Sequence, residues 1–332
     1  MSGHAPFPAQ AGDVAWPSHD WPRGELPRGF REPDAPDFGT TLALLVVWRG
    51  RVVLERYAPS CGPDATLVSW SVAKSMLHAL VGILVRDGKL DPRARADHPA
   101  WRAPGDPRAA ITLEQLLRMR SGLAWREDYV DAQRSDVIEM LFGRGRDDVA
   151  AFAAESPLAA APDTEWCYSS GSSNLVAWLA GRAIGGGADA CAAFLRRELF
   201  ARIGMASATA RFDAAGSWIG SSFVFATARD FARFGLLYLR GGIWEGERVL
   251  PERWADHART PTPGSAGEYG AHWWLPPGDE GMFSANGYRG QYVFVAPARD
   301  VVTVRLGQST AEQQPLVRQW LAELVVQLPR VG

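Results

Sequence analysis

The sequence predicts an α+β fold, an antiparallel sheet flanked by helices with a helical lobe inserted into the sheet domain. Three observations carry this. Runs rich in β-formers lie near both ends of the 332 residues, helical patterns fill the middle, and one more helix closes the chain. Residues 1–38 are punctuated by Pro and Gly without an apolar period and are expected to form an extended N-terminal arm. Thr41–Trp48 and Val52–Tyr57 read as two strands joined at Arg49-Gly50-Arg51, a hairpin signal. From Ser71 to Arg86, Val72, Met76, Leu80, Ile83 and Leu84 recur at helical spacing and Asp87-Gly88 stops the helix.

Further along, Thr112–Met119, Asp148–Ala154 and Asn174–Ile184 are helical patches separated by Pro and Gly. Ala228–Leu239 is an amphipathic helix, Gln291–Val295 and Val301–Leu306 are strands across an Ala-Arg-Asp turn, and a last helix spans residues 311–326. The expected division is an arm at 1–38, a sheet domain from 39–95 and 205–332, and a mainly helical lobe at 96–204, with an active site between lobe and sheet. No internal repeat and no low-complexity tract is visible.

Composition excludes several classes. Thirty-five basic residues against 37 acidic ones leave a formal charge of −2, so neither nucleic acid nor an anionic membrane is an expected partner. No stretch reaches the ~18 apolar residues of a membrane span, and the opening MSGHAPFPAQ lacks the basic start and apolar run of a secretory signal; the expected compartment is the cytoplasm. The three cysteines, Cys61, Cys167 and Cys191, show no C-x-x-C spacing and are expected to be free thiols, with no zinc site. G-x-S-x-G, H-E-x-x-H, P-loop and dinucleotide motifs are absent from the sequence.

Chemistry enters at Ser71-Val72-Ala73-Lys74. Residues three apart share a helix face, so the Lys74 amine can reach the Ser71 hydroxyl and take its proton, while the helix N-terminus favours negative charge. Alone, S-x-x-K also describes a cap followed by a solvated lysine; here the helix is mostly apolar, where a lysine one turn in needs a partner. Tyr168, in Tyr168-Ser169-Ser170, can relay a proton if a nearby cation, Lys74, lowers its pKa; a buried tyrosine before a helix cap is the plainer alternative. Phe283–Tyr292 (FSANGYRGQY) is a Gly-containing approach to a strand that can offer a backbone N–H to a substrate carbonyl, or can be an ordinary turn. His78 reads as a satisfied helix histidine. His272, beside Trp273 and Trp274, suits the cleft rim or the packing about equally, and Trp70 is placed as a pocket wall or helix wedge.

The joint order of these segments resembles the serine β-lactamase and penicillin-binding protein superfamily. It is most similar to the class C branch, with its esterases and 6-aminohexanoate-dimer (nylon oligomer) hydrolases. LLRMRSGLAW (116–125), ARDFARFGL (228–236), YGAHWW (269–274) and GYRGQY (287–292) support the resemblance, which covers roughly residues 40–325. It implies the β-lactamase fold, Ser71 as nucleophile, Lys74 as base and Tyr168 as second proton-transfer residue. Ser170 falls where class C β-lactamases carry asparagine, the pattern of the nylon-oligomer hydrolases. The Lys-Thr-Gly triplet is missing; alignment on Gly290-Gln291-Tyr292 puts Met282-Phe283-Ser284 in its place, with Ala285 completing the oxyanion hole begun by Ser71. Tyr129 matches a tyrosine that closes over the substrate amide, and Tyr129, Ser170, Trp70, His272 and Asn286 are the expected substrate contacts. The expected activity is hydrolysis of an ester or linear amide through an acyl-enzyme, without metal or organic cofactor. A β-lactamase or D-amino-acid peptidase, and a non-catalytic binding or sensor protein on the same fold, are the alternatives.

Overall fold

The computed structural model describes residues 5–129, 131, 134–277 and 281–331. Its strands are β1 (Thr40–Trp48), β2 (Arg51–Tyr57), β3 (Leu67–Val68), β4 (Thr209–Ala210), β5 (Val224–Ala226), β6 (Ile243–Trp244), β7 (Glu247–Arg248), β8 (Phe283–Gly287), β9 (Gln291–Ala296) and β10 (Val301–Gln308). Its α-helices are α1 (Val72–Arg86), α2 (Leu113–Leu117), α3 (Asp136–Phe142), α4 (Val149–Ala154), α5 (Ser170–Ile184), α6 (Gly187–Leu195), α7 (Ala228–Leu239), α8 (Trp254–Arg259) and α9 (Gln314–Val326). The main sheet runs β2-β1-β10-β9-β8 with every pairing antiparallel, so strands from the two ends of the sequence meet at β1 and β10. Between residues 99 and 203 the regular elements are helical.

The hairpin at Arg49-Gly50 forms because both residues take positive φ, +51° and +74°, the twist a two-residue connection needs. On one face of the sheet, α1 and α7 pack in the larger core; on the other, α9 covers Val46, Tyr292 and Phe294. Helix α1 is buried continuously from Val72 to Leu84, so its polar members Lys74, Ser75 and His78 each require an internal partner. Ser75 Oγ donates to the His272 carbonyl at 2.7 Å. His78 meets Tyr238 OH at 2.7 Å and His257 at 3.0 Å, and burial holds its imidazole neutral, as expected of a satisfied helix histidine.

The arm is tied down by α7. Arg233 and Arg240 lie seven residues apart on one helix face; Arg233 donates to the carbonyls of Pro17 and His19, both at 2.6 Å, and Arg240 to Gln10 Oε1 at 2.9 Å. Asp230 and Asp300 neutralise the two guanidinium groups. Helix α5 begins at Ser170 rather than at Asn174, because the Ser169 hydroxyl accepts from Ser172 N at 3.0 Å and so caps the helix earlier.

Trp254 of α8 donates its indole N–H to the His78 carbonyl at 2.9 Å, and this approach is possible only because residue 82 is glycine: a Cβ there would lie 2.4 Å from the Trp254 nitrogen. Gly82→Ala should therefore destabilise the protein by about 1–3 kcal/mol through overpacking, although alanine is the better helix former by roughly 1 kcal/mol. Denaturant unfolding of the two proteins measures the sign.

Candidate active site

Ser71 stands at the N-terminal end of α1, preceded by a backbone turn that an L-residue rarely adopts. Trp70 has φ of +44°, a left-handed conformation costly for a bulky side chain. Its ring is held between Phe223 at 5.7 Å and Tyr288 at 5.6 Å. Trp70 thus wedges the nucleophile turn, and the cleft surface beside Ser71 is supplied by Tyr288.

One turn along α1, Lys74 is buried and its Nζ has three partners: Ser71 Oγ at 3.0 Å, Ser170 Oγ at 2.9 Å and the Ser221 carbonyl at 2.9 Å. The hydrogen-bond directions decide what this amine can do. Ser170 Oγ spends its own proton on Glu127 Oε1 at 2.5 Å, so toward Lys74 it can only accept, as can a carbonyl. Two N–H bonds of the amine are therefore committed, and the remaining tetrahedral position faces Ser71. In the neutral amine that position is the lone pair. Burial lowers the Lys74 pKa to about 8, with the Glu127 charge opposing the shift, so the neutral form is accessible near physiological pH.

Glu127 was not evident from the sequence, where the Trp-Arg-Glu-Asp-Tyr run draws notice only for Tyr129. Its carboxylate accepts from Trp125 Nε1 at 2.5 Å, Tyr129 OH at 2.6 Å, and both the N–H and the hydroxyl of Ser170, at 2.9 and 2.5 Å. It lies at the N-terminus of α5, where a negative charge is favoured. Ser221 was also missed; Asn174 fixes it by accepting its N–H at 3.1 Å.

Tyr168 is placed beside Ser71 and packs against Trp274, ring centres 5.1 Å apart. The expected electrostatics are corrected here. Lys74 Nζ lies over the ring face, 5.0 Å from its centre, and burial followed by the Glu127 charge pushes the phenol up, against the opposing hydrogen bond with Ser71. Tyr168 is a neutral phenol rather than a standing phenolate.

Two expected site residues fall elsewhere. His272 is buried beneath the site, bonded to the Lys74 carbonyl at 3.1 Å and to Ser173 Oγ at 3.3 Å; burial and the Lys74 charge lower its pKa to about 3. It supports α1 and α5 and does not face the cleft. Ala285 is corrected by strand parity. Ser284 exchanges both backbone bonds with Trp274 at 2.8 Å, on the side of β8 away from β9. Its neighbour Ala285, opposite Val293, therefore directs its N–H into the β9 ladder, and its side chain is buried. Carried along the strand, the same alternation turns the N–H of Asn286 to the free edge, and extended one residue past the end of β8, into the turn closed by Gly290 N–H on the Gly287 carbonyl, it puts the N–H of Tyr288 on the same side. Gly287 brings that edge close, since a Cβ there would sit 2.4 Å from the Ser69 carbonyl.

These groups open on a cleft of about 890 Å³ whose lining includes Ser71, Glu127, Tyr129, Tyr168, Trp274, Asn286 and Tyr288. Tyr129 stacks on Tyr288 with ring centres 4.7 Å apart, roofing the nucleophile. Among the described residues no group of acidic, His and Cys side chains is arranged to hold a metal ion, and no helix is long and apolar enough to cross a membrane. Cys61, Cys167 and Cys191 are free.

The Beta-lactamase family profile matches residues 39–327. The chain belongs to this family. A curated relative, the 6-aminohexanoate-dimer hydrolase of Paenarthrobacter ureafaciens, is 27% identical over 299 residues, covering 84% of this chain and 75% of its own. Among solved structures, a candidate 6-aminohexanoate-dimer hydrolase from Bacillus anthracis superposes with a TM-score of 0.79 at 22% identity, over 98% of this chain and 91% of the other. EstA from Arthrobacter nitroguajacolicus Rue61a gives 0.60 at 18% identity, over 86% and 91%. The family fold agrees with the resemblance read from the motifs, and the relatives are hydrolases, among them amide hydrolases and esterases.

Two substitutions test the geometry. Glu127→Gln removes the charge that holds the Lys74 pKa up, so the acid limb of a kcat/KM profile should move to lower pH than in the unmodified protein. Gly287→Ala should leave folding intact by circular dichroism but lower kcat by about 10²-fold, the scale of losing one oxyanion donor, because the strand edge must back away from Ser69.

Proposed function

We propose that this protein is a serine hydrolase that cleaves a carboxylic ester or linear amide through an acyl-enzyme on Ser71. The observation that carries the reading is the Lys74 amine, 3.0 Å from Ser71 Oγ, with its other bonds committed and its pKa lowered to about 8. As Ser71 Oγ attacks the carbonyl carbon, its proton passes to Lys74. The oxyanion forms against the N–H of Ser71, which has no intrahelical acceptor at the helix start, and the N–H of Tyr288 at the free edge of β8. Tyr168, a neutral phenol beside Ser71, donates its proton to the leaving group, and the proton that Lys74 took from Ser71 replaces it, leaving a neutral amine and a neutral phenol beside the acylated serine. Water then attacks the acyl carbon along the reverse of the same proton route, releasing acid and restoring Ser71.

Ester and amide differ in what the leaving atom needs. An alkoxide leaves with little help, whereas an amide nitrogen requires a proton, which falls to Tyr168; Tyr129, in the cleft roof, has given its own proton to Glu127, so its hydroxyl oxygen can accept the amide N–H and orient the nitrogen. Among the described residues the cationic side chains lining the cleft are Arg289 and Arg318, and the lysine of a Lys-Thr-Gly triplet is absent from the sequence, so β-lactams are expected to be poor substrates. The named activity of the Paenarthrobacter relative supports the amide side of the reading, and EstA the ester side.

The decisive test is covalent. A fluorophosphonate probe should label the protein at Ser71 by mass spectrometry and fail to label Ser71→Ala. Turnover of p-nitrophenyl acetate should rise with pH through about 8, since the base is the neutral amine and Lys74 loses its proton there. An adduct on another residue, or no labelling of a folded protein, overturns the proposal and favours a binding role.

A further inference from the structure

The turn that carries Tyr288 is gripped from behind by two buried side chains, Gln291 and Arg305. Between β8 and β9 it runs Gly287-Tyr288-Arg289-Gly290, with φ of +61° at Arg289 and +83° at Gly290. Gln291 Nε2 donates to the Tyr288 carbonyl at 3.0 Å and to the Gly307 carbonyl at 2.7 Å, while its Oε1 accepts from Gly307 N at 2.9 Å. The β9–β10 register ends at Tyr292 against Arg305, so past that point the Gln291 side chain bonds Gly307 in place of a backbone rung and ties the turn to β10.

Arg305 supplies the second grip. It is fully buried, and no carboxylate among the described residues pairs with it. Its Nη1 donates to the Gly290 carbonyl at 2.7 Å and to the Arg289 carbonyl at 3.4 Å; its Nη2 donates to the Thr40 carbonyl at 3.1 Å and to Ser309 Oγ at 2.9 Å. Two glycines make room for the guanidinium, since a Cβ on Gly290 would lie 2.5 Å from Nη1 and one on Gly307 2.5 Å from Cζ. Burial lowers the Arg305 pKa to about 10, which still leaves a cation at neutral pH. Keeping a charge here without a counter-ion is costly, and a neutral donor could satisfy the same carbonyls at less cost.

The bonds run in a line toward the nucleophile. Arg305 Nη1 and Ser309 N, the latter at 3.0 Å, donate to the Arg289 carbonyl; the N–H of that same peptide, on Gly290, donates to the Gly287 carbonyl at 3.1 Å. The N–H of the Gly287–Tyr288 peptide is the one at the free edge beside Ser71. In a planar trans peptide C=O and N–H point opposite ways, so a Gly287 carbonyl held toward the turn aims the Tyr288 N–H out of it. Consecutive hydrogen bonds polarise one another, and a chain that starts at a cation makes its last N–H a stronger donor to negative charge.

We propose that Arg305 and Gln291 are positioning residues of the oxyanion hole, fixing and polarising the peptide whose N–H meets the substrate oxyanion. Neither lines the cleft, so both act through the turn rather than on the substrate. This rests on the hydrolase reading, with Tyr288 N–H as the second oxyanion donor.

The test compares p-nitrophenyl acetate with its thiono analogue, in which the carbonyl oxygen is replaced by sulfur, a poor hydrogen-bond acceptor. The unmodified protein should favour the oxygen ester. In Gln291→Met and Arg305→Met that preference should fall by about tenfold, through kcat of the oxygen ester with KM little changed, a fraction of the ~10²-fold cost of losing an oxyanion donor outright. Arg305→Lys, which keeps the charge, should lose less than Arg305→Met. The acid limb of the pH profile should stay in place, because Lys74 and its partners are untouched. Where an Arg305 variant does not fold by circular dichroism, the near-isosteric Gln291→Met decides. Equal losses on both esters, a shifted acid limb, a ratio preserved in folded variants, or an unmodified protein indifferent between the two esters overturns the proposal and leaves the hydrolase reading standing. An unmodified protein inert to both esters and unlabelled at Ser71 rejects the reading and this role together.

Discussion

A single amine buried without a counter-ion of its own sets the terms for the rest of this structure. Lys74 cannot be surrounded by hydrocarbon, since an unpaired buried polar group costs several kcal/mol. Its partners come from three separate places: the nucleophile on its own helix, the first residue of α5, and the chain between β4 and β5. Each needs its own support, Ser170 from Glu127 and Ser221 from Asn174. The junction of helical lobe and sheet is thus fixed by the bonding requirements of one nitrogen atom.

Two opposing influences meet at that nitrogen. Desolvation makes the ammonium unfavourable, and the aromatic packing of Tyr168, Tyr269 and Trp274 keeps water from relieving it. Glu127 works the other way, and it adds to the burial that raises Tyr168 and Tyr129 and holds both as phenols. The carboxylate therefore costs some of the activation of Lys74 and in return fixes the direction of every hydrogen bond around it.

Much of this was legible in the sequence. Helix α7 falls at the residues its amphipathic period marks, and β9 and β10 extend only slightly past the runs of β-formers. Ser71, Lys74 and Ser170 are brought together as their spacing and order imply. What could not be read depended on contacts between distant segments. Glu127 looks like any surface acid until α5 folds against it. The choice between Ala285 and Tyr288 rests on which edge of β8 each N–H faces, and one residue of register reverses the answer. His272 sits in an aromatic run that looks like a cleft wall, yet its positive φ of +54° turns that segment so that the imidazole enters the core. The Tyr168 electrostatics were misjudged because a cation on a ring face and a cation at the hydroxyl are indistinguishable in a sequence.

The sheet order has a bearing on how the molecule is made. β1 pairs with β10 from Thr40 against Gln308 to Trp48 against Val301, so the strand that sits at the centre of the sheet is synthesised long after the partner it must join. On the ribosome the helices between residues 99 and 203 can collapse early, because their contacts are short-range, while β1 and β2 wait as an open hairpin edge until β10 emerges. The arm waits too, since its anchors Arg233 and Arg240 emerge long after it. The Lys74 site, whose Ser221 acceptor lies 147 residues further on, is assembled only after that segment emerges, so a chain stalled earlier would hold the Ser-x-x-Lys sequence without its bonding frame.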